Sequence, residues 1–331
     1  MVRTHRAVAL SFAALYLGAP VSAELVQAYL PITGKPFDLA FFVLFLAPLY
    51  GGAAVLVRET AVRLGMGWPG ILLLAAAFGV VQAGLVDMSM FLGVDTGVPE
   101  FDDAWARTAV AGVGLGSAAL WVLGHVVMSV GTPLALVDGL MGGGMPRPWL
   151  GRRGLTVVAA LFVAVAVLVH LDTRSTTGRG ATVPQLLGAL TVAGLLVWLA
   201  TTRAGAPVPR RAGAVAPAPA LLLVGAAAAK LATDLCPPSW LGVGLALAVV
   251  AVAAVAVRRW SRAPGWGRTE AAALAAGALL AWCLVGFLAP AVPGVDPGAR
   301  YVHNAVALAL AASIAVATLR RPRRAAVEPN T

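Results

Sequence analysis

Long apolar runs, broken at short intervals by glycine, proline and arginine, dominate the chain. Ten of them approach the length a bilayer requires: 7–27, 37–57, 68–86, 109–137, 155–170, 184–201, 218–235, 240–257, 270–289 and 301–319. A hydrocarbon core about 30 Å thick is crossed by about 20 residues at 1.5 Å rise each. The runs do not alternate apolar with polar, which excludes a membrane β-barrel. The pattern predicts an all-α, polytopic transmembrane bundle of about ten helices. The shortest run, 155–170, extends toward Asp172. Pro31, Pro36, Pro69, Pro146, Pro148, Pro184, Pro237, Pro238, Pro290 and Pro293 fall near the ends of runs, as turn formers do. Trp68, Trp149, Trp240, Trp260 and Trp266 also lie near ends, where interfacial anchors sit.

The basic residues test the count. If the N-terminus is cytoplasmic, the inside connections hold Arg3 and Arg6, Arg58 and Arg63, and Arg147, Arg152 and Arg153. They also hold Arg203, Arg210 and Arg211, then Arg258, Arg259, Arg262 and Arg268, then Arg320, Arg321, Arg323 and Arg324. That places 18 of the 24 Lys and Arg inside, while Lys35, Arg107, Arg174, Arg179 and Arg300 lie outside and Lys230 lies within a run. A miscount by one helix would scramble this bias, so both termini are expected inside.

Composition narrows the class. Of 331 residues, 60% are hydrophobic and 11% charged, and the mean hydropathy is +0.88. A soluble domain carries about 25% charged residues. So few charges cannot cover a soluble surface, which rules out a soluble enzyme, a disordered chain and a nucleic-acid-binding domain. The net charge of +10 is spread along the inner edge, opposite anionic headgroups of a plasma membrane, so the bilayer is the expected partner and nucleic acid is not. Cys236 and Cys283 sit in or beside apolar runs and imply no disulfide framework. The N-terminus has a second reading: a basic start, an apolar stretch and Val21-Ser22-Ala23 resemble a cleavable signal peptide. Apolar character continues through Leu25, Ala28 and Leu30, which suits an uncleaved first helix.

Polar residues inside the bilayer are functional candidates by default. They are concentrated in the first four helices (1–142), which carry Glu24, Gln27, Glu59, Gln82, Asp87, His125 and Asp138. The region 155–320, expected to hold helices five to ten, is mostly apolar; its exceptions are Lys230, Asp234, His303 and Asn304. By helical rise, Glu24 lies about 25 Å and Gln82 about 21 Å above the cytoplasmic edge. Glu24, Gln27, Gln82 and Asp87 can therefore line one outward-facing pocket, or each can simply mark a helix end. His125 sits mid-segment with Trp121 and Ser129 one turn away on either side. Such a histidine can carry protons, bind a ligand or hydrogen-bond a neighbouring helix. Lys230 and Asp234 share a helix face four residues apart, as a self-neutralising pair or an ion relay. Glu59 and Arg63 have the spacing of an ion pair at the membrane edge. Gly131-Thr132-Pro133 is placed to kink the fourth helix. Gly112, Gly114 and Gly116 read as close helix packing, and the acidic loop with Asp95, Glu100, Asp102 and Asp103 reads as solvated. No residue spacing implies a metal site or a cofactor.

The stretch Ala23–Phe91 (AELVQAYLP, FLAPLYGG, LVRETAVRLGMGWPGILLLAAAFG, VVQAGLVDMSMF), with GHVVMSVGTPLALVD at 124–138, resembles a group of uncharacterised actinobacterial multi-pass membrane proteins. That resemblance implies a membrane-embedded fold and no particular activity. The same parts are also similar to the CPBP-type glutamic intramembrane proteases, whose signature is Glu-Glu-x-x-x-Arg followed by histidines on later helices. Glu59-Thr-Ala-Val-Arg63 has one glutamate where that signature has two, and Trp121-x-x-x-His125 stands where it has Phe-x-x-x-His. His303-Asn304 differs from its His-x-x-x-Asn.

Three functions fit. One is a transporter-type protein handling a small molecule or lipid, with Glu24, Gln27, Gln82, Asp87, His125, Lys230 and Asp234 as binding candidates. Ten helices also suit drug and metabolite exporters, although no five-plus-five repeat is visible. Another is an intramembrane hydrolase in which His125 and a carboxylate, Glu24 or Glu59, activate water. The third is a non-catalytic membrane assembly partner.

Overall fold

The computed structural model describes residues 2–94, 97–141, 147–290 and 292–321. Among these residues ten long helices follow one another: α1 (His5–Leu25), α2 (Pro36–Arg63), α3 (Trp68–Val86), α4 (Leu115–Met141), α5 (Arg152–Thr177), α6 (Val183–Thr201), α7 (Pro219–Asp234), α8 (Trp240–Trp260), α9 (Arg268–Leu288) and α10 (Pro297–Leu319). Nine are long and apolar enough to cross a membrane. The exception is α7, whose 16 residues reach about 24 Å. Most boundaries lie close to those the hydropathy predicts, but α2 runs past residue 57 to Arg63 and α5 past residue 170 to Thr177. Many long apolar helices are what an integral membrane protein requires.

The fourth segment begins later than expected. Residues 109–114 do not open the helix; they form an antiparallel hairpin, β1 (Ala109–Val110) and β2 (Val113–Gly114). At its turn Ala111 and Gly112 have φ of 51° and 76°. A two-residue type I′ turn needs both central residues in that left-handed region. Gly112 is thus a turn residue, and Gly114 yields space to Trp105, whose ring would stand 2.2 Å from a Cβ there. Only Gly116 behaves as a packing glycine of α4, facing Val243 of α8 and Thr108.

The connections sort into two ends. At one end Arg58 donates to Arg147 O at 2.9 Å, Gly67 N to Gly205 O at 2.9 Å, and Arg210 to Ser261 O at 2.6 Å. Arg268 and Asp138 form an ion pair at 3.3 Å at the same end, where Arg321 bonds Leu140 O. These are the connections that carry most of the arginines. At the other end His303 meets Leu25 O at 2.5 Å and Gln185 donates to Gly112 O at 2.9 Å. Asp95 and Thr96 lie outside the described residues, as do the side chain of Glu100 and residues 142–146 and 322–331. Arg3 is described in its backbone alone.

Helices α2, α3 and α9 are the most enclosed, while α5, α6, α8 and α10 bury no more than 22% of their most apolar windows and present Leu, Val and Trp outward. Small residues permit the closest approaches. A Cβ on Gly277 of α9 would stand 2.1 Å from Leu223 O of α7, and one on Gly79 of α3 would stand 3.1 Å from Val122 Cα of α4. Such contacts are how helices associate where lipid removes the hydrophobic drive between them.

Each of the first four helices carries a π-helical turn: Val21–Leu25 ends α1, Ala47–Gly51 interrupts α2, Gln82–Val86 ends α3 and His125–Gly131 interrupts α4. No π turn occurs in the described residues of α5–α10. Proline accounts for three of the four. Pro20 precedes the first, Pro48 lies in the second and Pro133 follows the last. Proline lacks an N–H and clashes with the carbonyl four residues back, so the ladder must shift. Pro20 withdraws the donor from Tyr16 O, and Gly51 fills the approach; a Cβ there would stand 2.0 Å from that oxygen.

Candidate functional site

A π turn carries one extra residue and leaves its backbone carbonyls poorly paired. In hydrocarbon each unpaired carbonyl is costly, so a partner must come from elsewhere. Ser22 in the turn of α1 donates to Met128 O in the turn of α4 at 2.6 Å. His303 of α10 reaches Leu25 O at the end of the first turn, at 2.5 Å. His170 of α5 reaches Leu85 O in the third, at 2.7 Å. Three π turns are therefore held by side chains from other helices.

The same turns carry the polar side chains. Helical rise puts Tyr50 about 20 Å from the inner end of α2, Gln82 about 21 Å from that of α3 and His125 about 24 Å from that of α4. These levels agree within about one turn. Glu24, half-buried at the end of α1, accepts hydrogen bonds from Tyr29 Oη and Tyr50 Oη, one on each carboxylate oxygen. Asp87, just beyond α3, accepts from Ser89 N at 2.9 Å and from Gln82 Nε2 at 3.3 Å. The Tyr50 hydroxyl lies within electrostatic reach of both carboxylates. Its ring faces His125, with centroids 5.8 Å apart, and the Phe78 ring stands edge-on to His125 at 5.5 Å. Glu24, Gln82, Asp87 and His125 are thus gathered around Tyr50.

The crevice beside Glu24 is lined by Ala28, Tyr29, Thr33, Leu39 and His303 among others, and it is too narrow to hold a water molecule. Ala28 and Met88, which flank the cluster, adopt φ of 51° and 54°. Left-handed backbone at a residue with a Cβ costs about 1–2 kcal/mol and persists only where the surroundings impose it.

The other candidates lie apart. Gln27 turns toward α9, donating to Trp282 O at 3.3 Å. There Asn304, fully buried, donates to Gly286 O at 2.8 Å. Lys230 and Asp234 form an ion pair within α7, and the ammonium lies 3.8 Å from the Trp282 ring centre. His125 hydrogen-bonds Ser129 Oγ at 3.0 Å; among the described residues no carboxylate hydrogen-bonds it. Glu59, at the opposite end of α2, is fully buried and pairs with Arg58 at 2.5 Å and Arg63 at 3.0 Å. It also accepts from Trp149 N at 2.8 Å, and the Arg58 guanidinium stacks 3.5 Å from the Trp149 ring centre. The Glu59–Arg63 pair expected from the spacing is present, and Glu59 has Arg58 and Trp149 N as further partners. The loop 147–151 covers it and makes it the anchor between α2 and α5.

Sequence reasoning missed Tyr29, Tyr50, Ser22 and Arg58. A signal existed for the tyrosines: the chain has only four, and two of them serve Glu24. No signal marked Ser22, because its role depends on a π turn in another helix.

Among the described residues no group of three or more His, Cys, Asp or Glu could hold a metal ion. No family model matches the chain, and neither a curated protein nor a solved structure matches it. The fold itself defines the class: a multi-pass helical protein of the membrane.

Proposed function

We propose that the chain is a transporter-type protein of the plasma membrane, handling a small molecule or lipid, with both termini in the cytoplasm. The reading is carried by one observation: four successive helices break into π turns at one level and deliver Glu24, Tyr50, Gln82 and His125 there. π turns inside helices are frequent at functional sites. Backbone irregularity at membrane depth is tolerated where it serves a buried site, and polar residues there mark substrate and ion paths. The cytoplasmic assignment of both ends rests on the arginine-rich end of the bundle.

The test is flux. Purified protein is reconstituted into liposomes and screened against panels of metabolites and fluorescent lipids, beside Gln82→Ala and His125→Ala. Flux that the two substitutions reduce at least tenfold supports the reading. Indistinguishable flux from all three proteins and from empty liposomes removes it and leaves the assembly role. For the orientation, a cysteine placed at Arg152 must resist impermeant reagents added to intact cells; labelling from outside inverts the threading.

A further inference from the structure

The polar groups around Tyr50 are unbalanced. Glu24 and Asp87 both bring acceptors, and their partners are neutral: two phenols, one amide, and the backbone N–H and hydroxyl of Ser89. Among the described residues no lysine or arginine forms an ion pair with either carboxylate. Gln82 adds a third acceptor. Its residue is 3% exposed, its amide stands against Asp87, and its Oε1 has no hydrogen-bond partner. The Gln82 Nε2 to Asp87 distance of 3.3 Å is long beside the roughly 2.9–3.0 Å usual for an N–H···O bond. Too little space remains in the adjoining crevice for a hydrated cation.

We infer that Glu24, Asp87 and Gln82 form a proton-binding site in which the two carboxylates together carry one negative charge, the proton residing on Asp87. Glu24 holds a phenolic donor on each oxygen, whereas Asp87, just beyond α3, is held by Ser89 through its backbone N–H and hydroxyl and by one long amide contact. Burial raises the proton affinity of Asp87 above the ordinary carboxylate range; its hydrogen bonds oppose that shift and the charge of Glu24 reinforces it. The titratable groups facing the pair are Tyr29 after α1, Tyr50 from α2 and His125 from α4, with His170 of α5 at Leu85 O and His303 of α10 at Leu25 O. Helix α6 brings none, and the nearby loop helix Pro99–Arg107 contributes Trp105 to Met90 O while Arg107 turns to Asp103. As the coupling ion of the proposed transport, the proton rests on that reading; as the occupant of the carboxylate pair it does not.

Infrared spectroscopy of the full chain in lipid nanodiscs tests the inference without any substrate. A protonated-carboxyl band is expected at neutral pH, lost on alkalinisation and absent in Asp87→Asn. In Glu24→Gln the loss moves to lower pH relative to Glu24, because a negative neighbour is gone. Thermal unfolding gives a second readout. A group whose proton is held more tightly in the folded state supports stability at low pH, and that support is lost as pH rises through its folded pKa. The wild type therefore loses stability across that window and Asp87→Asn does not. A band that survives Asp87→Asn, or no band in wild type, overturns the inference, as does a titration unmoved in Glu24→Gln. If the band behaves as expected and no substrate moves, the proton site stands and the transport reading falls.

Discussion

Helices α1–α4 and α5–α10 are built from nearly the same residues and are held together by different rules. In the second group most polar side chains stay on their own helix: Thr191 returns to Leu187 O, Thr233 to Ala229 O and Ser313 to Ala309 O, each at 2.8 Å. The ion pair of Lys230 with Asp234 is formed within α7. In the first group polar side chains reach across: Ser22 to Met128 O, Tyr50 to Glu24, Arg58 to Arg147 O. Of the exceptions in the second group, His170 and His303 reach carbonyls of π turns in α3 and α1, while Asn304 and Arg300 of α10 reach Gly286 O of α9. Polar content alone does not make a site in a bilayer. What matters is whether the backbone offers unpaired groups, and π turns supply them.

The sharpest way to break the comparison is to delete charge from each region. Glu59→Ala leaves Arg58 buried without its carboxylate and strips Trp149 N of its acceptor. Loss of one partner of a buried pair costs about 3–5 kcal/mol. Thermal unfolding in detergent should show a collapse of several degrees or no folded protein at all. The double change Lys230→Met with Asp234→Leu removes both members of an ion pair formed within α7, whose ammonium also lies on the Trp282 ring of α9, and it should be neutral or slightly stabilising. Equal losses in the two would mean that the regions do not differ in kind.

Next in size is the link at the centre. Tyr50→Phe keeps the ring beside His125 and removes one donor to Glu24. A hydrogen bond to a charged group is worth about 1.5–3 kcal/mol, and stability should fall by that amount. Ser22→Ala should cost about 1–3 kcal/mol, because Met128 O is left buried without a donor. Its control is Thr191→Ala, whose hydroxyl is exposed and bonds its own helix; it should stay within about 0.5 kcal/mol. Both are read from the same melting curves, and a costly Thr191→Ala would erase the distinction.

These differences mark where the sequence could be read. Hydropathy and the arginine bias locate the ten helices, because lipid demands long apolar runs and each run is a local property. Depth along a helix was enough to bring Glu24, Gln82 and Asp87 to one level. The π turns were not legible: Pro133 announced a kink, but a shifted ladder at Gln82–Val86 has no proline beside it. The hairpin at 109–114 was hidden because Ala, Val and Gly are as apolar in a strand as in a helix. The full burial of Glu59 was hidden for a related reason. Its burial comes from a loop some ninety residues away, and no local pattern records that contact.

The smallest predicted effect concerns backbone strain beside the cluster. Ala28 follows the first π turn with φ of 51°, lines the crevice with Glu24 and is 3% exposed. Glycine adopts this conformation without a Cβ penalty, so Ala28→Gly relieves about 1–2 kcal/mol of strain. Glycine also gives the unfolded chain more freedom, which returns about 0.5–1 kcal/mol. The buried Ala28 methyl is lost as well, at about 0.8 kcal/mol, so the net expectation lies near zero, with little change in melting temperature. The same exchange at Ala189, in the helical interior of α6, removes no strain and should lower stability by about 1 kcal/mol or somewhat more, since glycine is the poorer helix former and a buried methyl is lost. A loss at Ala189 beside little change at Ala28 would show that α1 is held in an imposed conformation at the polar cluster and α6 is not.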